Sequence, residues 1–502
     1  MHKANILHIQ SDQHNHNLMG NSGDKVIETP NLDYLAENGT VFENAYCSSP
    51  ICVPSRTSAI TGLFPHENEV WTNDQILNSA IPTYAHSLGA NGYETVQIGR
   101  MHFNGLDQLH GFSKRLVGDY GRNHLGSPSP AGIHGNLDFT AGPNRDSLKF
   151  SGFGQNAYQI HDEIITENTI NFLEQNNKHP FALSIGFILP HQPFIADENY
   201  YKKYLNKVEL PKIPSKELID YHPYIQWWKK RTGIEDVTRE EIIRCRAAYY
   251  ALVEQMDNMI GKIINKLKDK KIFDNTIIVY TSDHGEQLGE NGLWWKHTFY
   301  ENSVKVPAII SWPNELPMGQ RNQSVINQYD LISTLLELSH SKKLPRSNGR
   351  SLSNIINNPK EKWDNIAFSE YCMDDSDFGS FSGNLRGKGI HTKPGGIQNR
   401  MVRFDDWKLI YYNGYDSELF NLKSDPFEQN NLSNDKKHTP IKKKLEKLVL
   451  SNWDPNCIAK RMRVFKKEQN LQYQWAKRTD PDDTIRWNFD PKKDSTRLDS
   501  KN

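Results

Sequence analysis

Thr276-Ile277-Ile278-Val279-Tyr280-Thr281 runs straight into Ser282-Asp283-His284-Gly285-Glu286. The first six residues are almost all β-branched or aromatic, the pattern of a buried strand. The polar group that follows matters because open sheets of alternating strands and helices gather their sites beyond the carboxyl ends of strands. Upstream, residues 247–267 carry Leu252, Met256, Ile260, Ile263, Ile264 and Leu267 at three- and four-residue spacings, which predicts a helix. Residues 6–10, 95–98 and 181–188 read as further strands. Residues 31–38 read as a helix ending at Gly39, with Leu32, Leu35 and Ala36 on its buried side. Strands alternating with helices through the first two-thirds predict an α/β fold, a large sheet sandwiched by helices. Asp12 follows the first strand, Arg100 and His102 the second, and Asp283 the last.

The chain has 502 residues, long enough for two parts, predicted as 1–365 and 366–502. In the second part residues 366–371 read as a strand, followed by a Gly-, Asp- and Ser-rich stretch through Gly396. Strands follow at 401–404 and 407–412, then Glu418-Leu419-Phe420-Asn421-Leu422. Beyond Arg461 the polar sequence reads as an extended arm tied down by Trp475 and Trp487. Lys plus Arg equals Asp plus Glu at 60 each, so no global field favours nucleic acid or an anionic membrane. No apolar run approaches the ~20 residues of a membrane span. The first strand begins too early to leave room for a leader. That reading places the protein in the cytoplasm, or in the periplasm or outside the cell if a leader has been removed. The five cysteines, Cys47, Cys52, Cys245, Cys372 and Cys457, lack metal-cluster spacing, and the odd count leaves one without an intramolecular partner.

Hard divalent cations take oxygen ligands, and the two strand ends supply them: Ser11-Asp12-Gln13-His14 and Ser282-Asp283-His284. A lone aspartate at a strand end is more often a cap than a ligand. Two of them acquire meaning beside the run Cys47-Ser48-Ser49-Pro50-Ile51-Cys52-Val53-Pro54-Ser55-Arg56-Thr57-Ser58-Ala59-Ile60-Thr61-Gly62. That run resembles the signature of the type I sulfatases, with Val53 and Ala59 departing from the stricter pattern. Gly99-Arg100-Met101-His102 is similar to the family's G-K-x-x-H region, with arginine for lysine and the histidine at i+2. Pro190-His191-Gln192-Pro193 resembles P-H-x-P, and Gly289 to Glu301 resembles G-E-x-G-L-x-x-K with Lys296 as its lysine. Asp425-Pro426, Glu428 and Asn431-Leu432 continue the likeness into the C-terminal part.

The resemblance implies an alkaline-phosphatase-like fold, a large mixed sheet between helices with a smaller C-terminal antiparallel sheet. It implies that Cys52 is oxidised by a formylglycine-generating enzyme to formylglycine. The hydrated aldehyde then attacks a sulfate ester, assisted by Arg56, Arg100, His102, His191 and Lys296. Asp12, Gln13, Asp283 and His284, with residue 52, would hold one divalent cation, calcium first and manganese as rival. Asp12-Gln13 with Asp283-His284 is similar to the branch of choline sulfatases and phosphonate monoester hydrolases. Phosphonate-cleaving relatives tend to lack the two basic groups at Arg100 and His102, which argues for sulfate. Asn73 resembles a substrate-binding position of the choline sulfatase branch. Trp71, Trp227, Trp228, Trp294 and Trp295 suit a sugar, and each one equally suits packing under a loop; the expected substrate is a sulfated saccharide from polysaccharide degradation. Choline sulfate, a phosphonate monoester or a phosphodiester are the alternatives, and a catalytically dead sugar-binding scaffold would have lost some of these residues. A homo-oligomer is left open.

Overall fold

The structure, a computed structural model, describes residues 3–119, 123–125, 135–175, 180–373, 397–483 and 485–500. The Gly-, Asp- and Ser-rich stretch read up to Gly396 lies, from residue 374 onward, outside the described residues. A nine-stranded sheet runs in the order Gln320–Asn327, Thr40–Tyr46, Ala308–Ser311, Thr276–Ser282, Asn5–Asp12, Phe181–Pro190, Glu94–Gly99 and Lys114–Val117, with Lys305–Val306 against Thr40–Tyr46. It is mixed: Ala308–Ser311 is antiparallel to both neighbours. Thr276–Ser282, Asn5–Asp12, Phe181–Pro190 and Glu94–Gly99 are mutually parallel. These four are buried along nearly their whole length, which is why they read as continuous apolar runs instead of alternating ones.

Pro30–Glu37 and Ala157–Gln175 each pack against Arg239–Asp269, and Cys52–Thr61, Tyr84–Ala90 and Gln328–Leu338 pack against one another as a second group. Leu32, Leu35 and Ala36 are buried as expected. Arg239–Asp269 starts eight residues before the apolar pattern does. Its charged first turn is set by a capping box, Thr238 N–H donating to Glu241 Oε2 at 2.8 Å and Glu241 N–H to Thr238 Oγ1 at 3.3 Å.

Ile366–Met373, Ile397–Phe404, Trp407–Tyr412 and Glu418–Asn421 form a separate four-stranded antiparallel sheet. One expectation fails here. Residues 455–479 are a 25-residue helix, not an extended arm. Asp454 caps it by accepting from the N–H groups of Asn456 and Cys457, and only Ile458, Ala459, Met462 and a few others are buried. The remaining length is solvated, so its apolar periodicity is too weak to read. Trp475 stays about half exposed (49 %), whereas Trp487 is buried, its ring 4.9 Å from that of His161. The extended segment begins only at Asp480, and Trp487 alone of the two tryptophans anchors it.

Candidate active site

Cys52 opens the helix Cys52–Thr61, whose ten residues are all buried. Ile51 before it is extended, so the chain turns sharply into the helix and presents Cys52 on its first turn. The helix is locked to the sheet: the Ser55 hydroxyl donates to the Asp283 carbonyl and, at 3.2 Å, to Gln328 Oε1. It stops at Gly62, where φ is +70° and a Cβ would collide with Ser347. Asn73 Oδ1 accepts the Val53 N–H at 3.0 Å, placing this expected substrate residue beside the helix that opens at Cys52.

The carboxyl ends of the four central parallel strands meet this helix. Cys52 Sγ lies 3.0 Å from Lys296 Nζ, 3.2 Å from His284 Nε2 and 3.7 Å from Asp12 Oδ1. Ligand atoms of Asp12, Cys52, Asp283 and His284 all lie within 4.8 Å of one another. Gln13 takes a left-handed conformation, φ +67°, and its N–H donates to Asp283 Oδ1 at 3.0 Å. Its side-chain amide donates to Gln192 Oε1 (2.7 Å) and Glu286 Oε2 (2.6 Å), leaving Oε1 buried without a hydrogen-bond partner. A buried carbonyl left unsatisfied costs about 1–3 kcal/mol. A divalent cation among Asp12, Gln13, Asp283 and His284 beside residue 52 would remove that cost, and the mixed carboxylate, amide and imidazole set fits one.

Around these residues stands a shell of cations. Arg56 is fully buried; its Nε donates to Asp283 Oδ2 (2.9 Å), and its two terminal nitrogens to Asp12 Oδ2 (3.2 Å) and the Arg100 carbonyl (3.0 Å). Arg100 Nε donates to Asp12 Oδ2 at 2.7 Å. Although burial opposes ionisation, Arg100, His191, Lys296 and Arg56 hold the Asp12 carboxyl well below the usual carboxylate range. Burial and Asp12 push the Cys52 thiol up, but Lys296 and a hydrogen bond with His102 outweigh them and bring it down to about 5.

The two histidines carry their protons differently. Arg100 Nη2 lies 3.0 Å from His102 Nδ1 and can only donate, so a neutral His102 keeps its proton on Nε2. His191 Nδ1 is 2.6 Å from the Gln192 carbonyl, which fixes its proton on Nδ1. The Leu189-Pro190 and Gln192-Pro193 peptide bonds flanking it are both cis. Burial and then Lys296 push His191 down to about 4, and burial and then Arg100 lower His102. His297, next to Lys296, turns away: its N–H donates to the Pro50 carbonyl and its ring stands over Trp228, 4.6 Å between centroids. The five tryptophans read as sugar platforms are all buried, so they pack under the loops.

Asp119 escaped the sequence reading. Its Oδ2 accepts the His102 N–H at 2.9 Å, and Oδ1 sits 3.5 Å from Arg100 Nη1. Against the effect of burial, Arg100 and His102 hold it below the usual carboxylate range. Its own backbone bridges to Arg486, and its carbonyl accepts the Trp487 N–H at 3.0 Å. Asp119 therefore orients both basic groups and ties them to the C-terminal segment. Asp119→Asn should lower kcat/KM by about 10- to 100-fold, the range for partners of site residues, with Asp119→Glu recovering part of it. An unchanged pH–rate profile in Asp119→Asn would remove it from this role.

The profile of the family described as Sulfatase matches residues 4–341. The chain belongs to the sulfatase family. Residues 289–453 of this sulfatase also match the C-terminal region of N-sulphoglucosamine sulphohydrolase. It is 31 % identical over 444 residues to a choline-sulfatase of Rhizobium meliloti (strain 1021), covering 86 % of this chain and 82 % of that one. It is 27 % identical over 525 residues to arylsulfatase K of Danio rerio, covering 98 % and 92 %. Among solved structures, the phosphonate monoester hydrolase of Agrobacterium radiobacter superposes with a TM-score of 0.74 at 20 % identity, covering 89 % of this chain and 95 % of that one. A protein in complex with its substrate D-glucosamine-2-N,6-O-disulfate gives 0.66 at 22 %, covering 94 % and 98 %. The alkaline-phosphatase-like fold and the expected branch are thus both found, and the enzyme is a sulfuric ester hydrolase.

Proposed function

We propose that this sulfatase removes sulfate from a sulfated saccharide, using Cys52 converted to formylglycine by a formylglycine-generating enzyme. The observation that carries the reading is the convergence of Lys296, His284 and Asp12 on Cys52 Sγ, at 3.0, 3.2 and 3.7 Å. The hydrated aldehyde supplies a hydroxyl nucleophile, and a divalent cation, calcium first and manganese second, supplies positive charge against the sulfate oxygens. The chain does the rest. Arg56 holds Asp12 and Asp283 in place through its Nε and Nη2 donors. Arg100 and Lys296 present cationic N–H groups where charge develops. His102 Nε2 exchanges a proton with residue 52.

Burial first and Lys296 second hold His191 down at about 4, and an incoming sulfate anion raises it by offsetting the charge of Lys296. With Nδ1–H fixed by Gln192, its Nε2 then carries the proton for the departing alcohol. A sugar alkoxide needs that proton and a nitrophenolate does not. His191→Ala should lower kcat/KM at least ~100-fold on a sulfated sugar but distinctly less on 4-nitrophenyl sulfate. Equal losses on the two substrates would take His191 out of the acid role and leave it to Lys296.

The saccharide reading is supported by the neighbour bound to D-glucosamine-2-N,6-O-disulfate and by a neighbour described as a 2-O GAG sulfatase. Polysaccharide degradation is the setting that this reading supports. The 31 % identity to a choline-sulfatase supports choline sulfate as the second reading. Turnover of sulfated monosaccharides, choline sulfate and a phosphonate monoester, measured side by side, decides between them. Fastest turnover of the phosphonate would overturn the sulfate assignment, because Arg100 and His102 are its basis.

A further inference from the structure

Glu286 stands two residues beyond His284 and is fully buried, but takes no part in the chemistry proposed above. Its two carboxylate oxygens divide their work. Oε1 accepts the Leu288 and Trp295 N–H groups, each at 2.7 Å, and Oε2 accepts Gln13 Nε2 at 2.6 Å. Trp295 is left-handed, φ +59°, and precedes Lys296. Oε1 therefore pins the backbone that delivers Lys296 Nζ to its place 3.0 Å from Cys52 Sγ.

The amide of Gln13 has one nitrogen with two hydrogens, and both are engaged. The second goes to Gln192 Oε1 at 2.7 Å. Gln192 cannot turn to offer nitrogen instead, because its own Nε2 donates to the Ala141 carbonyl at 3.0 Å. A carboxylate at Glu286 only accepts. Two acceptors, each fixed from behind by backbone groups, thus admit one orientation of the Gln13 amide. Nε2 faces them and Oε1 faces away, buried and without a hydrogen-bond partner. The Gln13 backbone N–H meanwhile donates to Asp283 Oδ1 at 3.0 Å, which keeps the residue beside the cluster of Asp12, Asp283 and His284.

We infer that Glu286 is a positioning residue of this sulfatase: with Gln192 it sets the polarity of the Gln13 amide, so that oxygen and not nitrogen is offered to the cation. This role rests on the cation reading proposed above. It makes the near-isosteric change Glu286→Gln harmful. The Leu288 and Trp295 N–H groups would hold the new amide oxygen at the Oε1 position, which puts its NH2 against Gln13 Nε2. Two donors then face each other. Gln13 relieves this by turning its oxygen inward, which leaves its NH2 toward the cation.

Calorimetric titration of calcium, and separately of manganese, into the metal-stripped full chain at alkaline pH tests this without turnover. Glu286→Gln should weaken binding about 10- to 100-fold, the range for outer partners of metal ligands. Gln13→Ala should weaken it too. In that background Glu286→Gln should cost no more than about twofold, because no amide remains to be turned. A merely structural glutamate would cost as much in both backgrounds. Should Glu286→Gln fold poorly, Gln192→Leu removes the other acceptor and should show the same dependence on Gln13. If neither ion binds the wild type, or Gln13→Ala binds as tightly as wild type, the cation reading fails and takes the role of Glu286 with it. If Gln13→Ala weakens binding but Glu286→Gln leaves it unchanged, or lowers it equally with and without Gln13, only the role of Glu286 is overturned.

Discussion

Cys52→Ala should abolish turnover, by a factor on the order of 10⁴ to 10⁶, the scale seen when a nucleophile is removed from a working site. The fold should survive, because the helix Cys52–Thr61 is fixed by Ser55, Arg56 and Gly62 and not by the thiol. In active protein, peptide mass analysis should find residue 52 about 18 Da lighter than cysteine, the change from thiol to aldehyde. Cys52→Ser distinguishes the modification from simple nucleophilicity: it keeps a hydroxyl at the position but not the aldehyde. The thiol itself, drawn down to about 5 by Lys296 and His102 against burial and Asp12, is a thiolate at pH 7. It can attack sulfur, but it has no second hydroxyl through which to expel the product. A variant with wild-type rates, or full activity in protein whose residue 52 retains the cysteine mass, would sink the proposed chemistry.

The same arrangement shows why so much of the site was legible. Asp12, Asp283, Arg100 and His191 sit at or just beyond the ends of four adjacent parallel strands, and a parallel strand buried on both faces is an unbroken apolar run. The end of such a run is easy to see, and the polar residue there stands out. Asp119 follows the short edge strand Lys114–Val117, where exposed and buried residues alternate, so nothing in the sequence set it apart. Gln13 stood in the sequence only beside Asp12 and by resemblance, and its left-handed backbone and unpartnered side-chain carbonyl are visible only in the fold. The helix Pro455–Thr479 was missed for a different reason. Charged and polar residues cover most of its length, and what fixes it is partly local, Pro455 in the first turn and the Asp454 cap, and partly long-range, the Trp71–Phe465 and Arg461–Glu69 contacts. The tryptophans suited both readings because aromatic residues near loops look alike whether they face solvent or pack beneath, and here they pack.

Asp12→Asn should be the most damaging isosteric change in the molecule, affecting metal, activity and stability together. Asp12 is fully buried and faces Arg100 at 2.7 Å, Arg56 at 3.2 Å, His284 at 3.6 Å and Lys296 at 3.9 Å. An amide keeps the shape and deletes the charge, so the cations lose one of the carboxylates that compensate them. Breaking a buried pair by removing one partner costs about 3–5 kcal/mol. Cation affinity, measured by metal analysis after dialysis, should fall at least about 100-fold, since the loss of an anionic ligand exceeds that of an outer partner. Turnover should fall by at least about 10³. The pH dependence has a definite sign. Asp12 is held well below its ordinary value of 3.8, so its contribution to stability is complete above that value and is lost as pH falls through the folded-state pKa. Denaturant midpoints of wild type and variant should therefore differ most at neutral pH and draw together in acid. A variant that kept its cation, or held activity within tenfold of wild type, would show that Asp12 is neither ligand nor counter-charge, and the assembly of the whole site around it would have to be redrawn.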